Sequence, residues 1–148
     1  MEQPVTKAEY EALAALRYVL RQFLRFSEEA AQSVGLAPQQ HQALLAIKGF
    51  PGRDRVTIGE LAERLQIRHH STVGLVNRLV AQGFVVREPD ISDQRQVYVA
   101  LTENGTQMLN QLSAVHREEL RRVGPQLTTL LERLLLEPQT VGTARPEG

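Results

Sequence analysis

Apolar positions in the first third of the chain follow a helical period. Tyr10, Leu13, Leu16, Leu20, Phe23 and Leu24 recur on one stripe, and Gly35 ends the run, which predicts one long helix over residues 7–34. Val19 and Phe26 fall off that stripe, so the apolar face is wider than one small subunit readily covers. Pro38 suits the first turn of a second helix reaching about Lys48, with Leu44, Leu45 and Ile47 apolar. GFPGRD, residues 49–54, reads as a loop. Thr57, followed three residues later by Glu60, forms a capping box in which each side chain satisfies a free backbone N–H of the other. That predicts a short helix over 58–65, with Leu61, Leu65 and then Ile67 turned inward. After a turn at 66–68 a further helix runs to Gln82 and stops at Gly83.

The period then shortens to two. Phe84-Val85-Val86-Arg87 and Val97-Tyr98-Val99-Ala100-Leu101 read as strands, with Val97, Val99 and Leu101 sharing one face. Pro89, Asp90, Ser92 and Asp93 supply turn chemistry between them. Thr102 caps the next helix, Glu103 suits its first turn, and Met108, Leu109, Leu112, Val115, Leu120 and Val123 mark its apolar side. Gly124-Pro125 is expected to break it. A last helix then carries Leu127, Leu130, Leu131, Leu134 and Leu135, and residues 137–148 read as a frayed tail.

Charge changes this picture only through its distribution. The 148 residues carry 17 basic and 17 acidic side chains, a net charge of zero. Yet Arg64 to Arg87 holds no Asp or Glu, while it contains Arg64, Arg68, His69, His70, Arg78 and Arg87. A local positive field of this kind is what a phosphate experiences. The absence of cysteine excludes disulfides, thiolate metal sites and thiol redox sensing. No run of apolar residues is long enough to span a membrane, and the polar, acid-bearing start MEQPVTKAEYEA does not resemble a secretory signal, so a cytoplasmic protein is expected.

Catalytic and metal chemistry find little support. There is no Gly-rich phosphate loop, no nucleophile with a base at motif spacing and no catalytic carboxylate pair, so an enzyme is not expected, nor is a cofactor. His41, His69, His70 and His116 form no H-x-x-x-H pair, and the two adjacent ones diverge on a helix, which argues against a metal site. His116 lies in an apolar stripe and is expected to be a hydrogen-bonded interior histidine.

A short helix, a tight turn, a second helix and a hairpin is the order of a winged helix-turn-helix. In that arrangement the second helix enters the major groove of a duplex and the hairpin reaches the backbone or minor groove. On a helical wheel Thr72, Val76, Leu79 and Gly83 share one side, flanked by Leu75 and Val80. His70, Ser71, Gly74, Asn77, Arg78 and Ala81 occupy the other, a short, polar and acid-free surface.

Residues 61–105, LAERLQIRHHSTVGLVNRLVAQGFVVREPDISDQRQVYVALTENG, resemble the MarR family of bacterial transcription regulators. The resemblance is carried by LAERL, by the N-R-L-x-x-x-G close of the second helix, by the D-x-R tip and by L-T-x-x-G, in that order and spacing. It implies a mainly α protein with a small antiparallel β-hairpin wing: residues 1–36 an N-terminal dimerisation helix, 37–101 the DNA-binding lobe, 102–136 C-terminal dimerisation helices. It further implies that Arg95 enters the minor groove, that Asp93 braces it beside Gln94, and that Arg68, His70, Ser71, Thr72, Gly74, Asn77 and Arg78 form the reading set. Two departures shift that expectation. Gln94 stands where a second basic residue is common, and Gly74 where relatives carry a bulky polar or basic one, so base contacts move towards His70, Ser71 and Val73.

Burial independently points to a homodimer, because each exposed Leu or Phe forgoes about 1.5–3 kcal/mol. Tyr10, Leu13, Leu20, Leu127, Leu130, Leu131 and Leu134 are the expected contacts, unless the terminal helices cover one another within one chain. The resemblance implies a dimeric repressor on a palindromic double-stranded operator, with no membrane partner, released by a small aromatic or anionic effector near Phe23, Phe26, His41 and His116. A metal-responsive regulator, or an interaction module that has lost DNA binding, are the alternatives.

Overall fold

A computed structural model describes residues 2–136; the expected tail, 137–148, lies outside the described residues. The elements are α1 (Lys7–Ser33), α2 (Pro38–Lys48), β1 (Arg55–Val56), α3 (Ile58–Leu65), α4 (His69–Ala81), β2 (Val85–Pro89), β3 (Val97–Leu101) and α5 (Glu103–Leu135). They pack as two units. Phe26–Arg117 forms a winged unit, and the chain up to Arg25 combines with α5 from Glu118 onward to form a helical unit.

The winged unit is built around Leu44, Ile47, Val56, Leu61, Leu75, Val76, Leu79, Val85, Val99 and Leu112, all buried, with Leu65, Ile67 and Phe84 packed against them. The capping box forms as expected: Thr57 Oγ1 accepts the Glu60 backbone N–H at 3.2 Å, and Glu60 Oε1 accepts that of Thr57 at 2.9 Å. Gln66 closes α3 in the left-handed region at φ 55°, which sets the tight turn before α4. Gly83, at φ 78°, closes the turn out of α4.

Three strands stand where two were expected. β1 adds to the outer edge of the wing, giving the antiparallel order β1-β3-β2, with Val56 opposite Val99 and Arg87 opposite Val99 from the other side. The wing is tied down by the L-T-x-x-G sequence. Thr102 Oγ1 donates to Gly83 O at 2.6 Å, the Thr102 amide donates to Phe84 O at 3.0 Å, and Gly105 N–H donates to Thr102 Oγ1 at 3.1 Å. A Cβ on Gly105 would fall well inside van der Waals distance of the Phe84 carbonyl oxygen, so only glycine admits this approach.

The expected break at Gly124-Pro125 does not occur. α5 runs unbroken from Glu103 to Leu135 with Pro125 inside it. Proline costs that turn a hydrogen bond. Val123, before the proline, and Leu127 and Leu130, after it, belong to one apolar cluster around Val19, so burial on both sides outweighs the local penalty. In α1 the off-stripe Val19 is buried, at 2% exposure, as are Ala12 and Ala31, while Tyr10 (59%), Leu13, Leu20 and Leu24 face outward.

Candidate nucleic-acid interface

α4 presents one buried face and one open face. Thr72, Leu75, Val76 and Leu79 are buried. Arg68, His69, His70, Ser71, Asn77, Arg78 and Ala81 are exposed, and Val73 and Gly74 are half-buried between the two sides. Thr72 is a correction to the expected reading set. It is fully buried and its hydroxyl donates to Arg68 O at 2.9 Å, so it fixes the first turn of α4 from inside and has no path to a ligand. This agrees with the inner side that the helical wheel assigns to it. The helix starts at Arg68 with no side-chain cap.

Three exposed side chains are arranged by their neighbours. The Arg78 guanidinium lies back over Gly74: a Cβ there would be 3.7 Å from Arg78 Nη1. Glycine at 74 therefore keeps the middle of the helix low and leaves space beneath the Arg78 head. Arg87 on β2 donates through Nη2 to Asn77 Oδ1, which orients the Asn77 amide and carries a cation between recognition helix and wing. Arg87 belongs to the acid-free stretch, but its coupling to Asn77 is a tertiary contact with no signature in the spacing.

The wing tip is a hydrogen-bonded turn. Asp90 N–H donates to Gln96 O and Gln96 N–H to Asp93 O, both at 3.0 Å. The Ser92 backbone N–H and then its hydroxyl, each 3.0 Å from Asp90 Oδ1, hold the Asp90 carboxyl below its ordinary pKa, with a smaller contribution from Arg55. Asp93 Oδ1 accepts the backbone N–H of Arg95 at 3.1 Å, so this carboxylate shapes the chain at Arg95. Gln94 and Arg95 are exposed, and among the described residues Arg95 has no ion-pair partner.

The ligand-site candidates separate. Phe26, His41 and His116 come together in the winged unit: His41 and His116 have ring centroids 4.8 Å apart, and Phe26 meets His116 edge-on at 5.5 Å. His116 Nδ1 donates to Leu112 O at 2.6 Å, and its Nε2 lies 2.7 Å from the Ser27 hydroxyl oxygen. His116 is hydrogen-bonded as expected, but half-buried where an interior position was expected. Burial, and then the neighbouring His116, hold His41 below its ordinary pKa of 6.5. Phe23 packs instead with Val19, Val123 and Leu130 in the helical unit. Among the described residues no group of three or more His, Asp or Glu could hold a metal ion, and no helix is long and apolar enough to cross a membrane.

The expected dimer contacts divide similarly. Leu130 is already buried within the chain against Val19 and Val123, with Leu127 packed beside it. Tyr10, Leu13, Leu20 and Leu131 are exposed, and Leu134 is half-buried. Packing within one chain thus accounts for part of the apolar set and leaves the larger share uncovered.

Comparison with known proteins gives a consistent picture. A family model described as "MarR family" matches residues 34–96. The chain is 30% identical over 116 residues, 76% of each chain, to the homoprotocatechuate degradative operon repressor of Escherichia coli. A MarR family protein from Bacillus stearothermophilus has a similar fold, with a TM-score of 0.73 at 22% identity, covering 90% of this chain and 94% of that one. A mutant of Escherichia coli MarR solved in complex with operator DNA matches at a TM-score of 0.61 and 24% identity, covering 81% and 90%.

Proposed function

Because the chain belongs to the MarR family of transcriptional regulators, we propose that it is a homodimeric repressor that reads a palindromic operator with α4 and grips the flanking minor groove with Arg95. The observation that carries this reading is the acid-free exposed face of α4, with the wing arginines Arg87 and Arg95 beyond it. Arg68, His70, Ser71, Asn77, Arg78 and Arg95 are all exposed there, and Arg87 fixes Asn77 between helix and wing. Short polar side chains near the start of α4 allow close approach to base edges, while the arginines supply the phosphate and minor-groove contacts that dominate affinity. The uncovered Tyr10, Leu13, Leu20 and Leu131 support association of two copies.

Release by a small aromatic or anionic effector belongs to the same proposal. The Phe26–His41–His116 cluster supports it, as an aromatic and imidazole group in which His41 is buried and Phe26 and His116 are half-buried. An effector that favours one spacing of the two reading helices needs only a few kcal/mol of differential affinity to change operator occupancy. The relative from Escherichia coli is named as a repressor of a degradative operon, which favours repression over activation for this chain.

The test is Arg95→Ala, assayed on a duplex that the wild-type protein selects from random-sequence DNA. Binding should weaken by about tenfold or more while thermal unfolding stays unchanged. Equal affinity across a salt series would remove the wing from the interface.

A further inference from the structure

Outside α4 and the wing tip, the winged unit carries a second ordered group of cations. The Arg64 guanidinium lies over the Phe50 ring at 5.0 Å, and Arg53 covers the same ring at 4.4 Å. Arg53 also lies 5.5 Å from the Tyr98 ring, which Arg55 covers at 4.2 Å. The result is a ladder of alternating arginine and aromatic side chains, drawn from α3, the α2–β1 loop, β1 and β3. Glu60 holds Arg53 through both oxygens. Among the described residues Arg55 and Arg64 form no direct ion pair, and Arg55 acts on Asp90 only at longer range.

Stacking on a ring fixes the plane of a guanidinium and leaves its edge N–H groups open to an anion. The ladder's position selects the anion. Arg64 lies in the last turn of α3, the helix that a helix-turn-helix lays across the DNA backbone. Arg55 lies on β1, at the sheet edge opposite β2, and its charge acts on Asp90 at the base of the wing tip. The strip therefore adjoins the first helix of the motif at one end and the wing at the other.

We propose that this arginine–aromatic ladder is a phosphate-binding strip that holds the DNA backbone in the flank outside the half-site read by α4 and the wing. It rests on the DNA-binding reading above and adds to it a longer footprint with a sequence-independent outer contact. Charge complementarity and continuity with the wing favour DNA over a protein partner. The rival role is purely structural, a staple between the α2–β1 loop and the sheet.

The experiment uses the full chain and a duplex selected by the wild-type protein, together with versions shortened at both ends. Affinity is measured across a salt series for wild type, for Arg55→Gln with Arg64→Gln, and for Arg55→Lys with Arg64→Lys. The glutamine variant should bind the long duplex about tenfold or more weakly than wild type. Its log–log salt dependence should flatten by about 0.9 for each phosphate it no longer neutralises. Shortening the duplex should cost wild type and the lysine variant affinity, and cost the glutamine variant little. A glutamine variant with wild-type affinity and salt slope on both duplexes overturns the proposal, and so does one that only lowers the unfolding midpoint. If the wild-type protein selects no duplex at all, the DNA-binding reading fails first and the strip falls with it, an outcome distinct from normal binding without flank dependence.

Discussion

At the scale of single residues, two positions carry most of the local argument. Gly105 holds the start of α5 against the Phe84 carbonyl at a distance no Cβ tolerates. Gly105→Ala should therefore cost about 3 kcal/mol, at the upper end of overpacking substitutions, read as a lower urea midpoint with a similar slope. An unchanged midpoint would mean that the Phe84–Gly105 approach relaxes freely. His41 is held below its ordinary pKa of 6.5 by burial and by His116. The folded state thus binds a proton less readily than the unfolded chain does. Stability from this group is complete above about pH 6.5 and declines as the pH falls below it towards the lowered folded value. Denaturant unfolding at pH 7.5 and at about pH 5.5 should show this decline in wild type and a smaller one in His41→Gln. Equal declines in the two proteins would assign the effect to other groups.

At the scale of elements, most of the fold is legible in the sequence because periodicity, caps and glycine stops agree with one another. The capping box at Thr57 and Glu60, the Gly83 stop and the alternation of Val97, Val99 and Leu101 are local signals, and each element forms where they point. What is not legible depends on distant partners. β1 is two residues long, too short to show alternation, and exists because Arg55 and Val56 pair with Ala100 and Val99. Pro125 reads as a stop in isolation, but the cluster of Val19, Val123, Leu127 and Leu130 holds the helix together across it. Thr72 is polar by type and buried by position, because α4 needs a small side chain that can return its hydroxyl to Arg68 O. The coupling of Arg87 to Asn77 and the stacking of Arg53 between Phe50 and Tyr98 also join residues that no local signal links. The continuity of α5 gives a prediction at this scale. Pro125→Ala restores a backbone donor inside a helix and should raise stability, by up to about 3 kcal/mol. Thermal unfolding measures it, and a lower midpoint would show that the proline geometry itself is needed for the packing around Val19.

At the scale of the whole molecule, a net charge of zero coexists with one stretch, Arg64 to Arg87, that holds no acidic side chain. The local field over α4 is therefore positive although the whole chain is neutral. The uncovered apolar residues of α1 and α5 give a reason for two copies to associate, and a two-fold pair of α4 helices asks for a two-fold DNA site. On this reading a dimer engages two half-sites while the wings grip the minor groove beyond them. Hydroxyl-radical footprinting of the wild-type protein on its selected duplex tests this most directly. Two symmetric protected segments are expected, with centres about 10 bp or a multiple of it apart, each extended outward into a protected minor groove that is lost in Arg95→Ala. A single unsymmetric footprint, or one unchanged by Arg95→Ala, would contradict it.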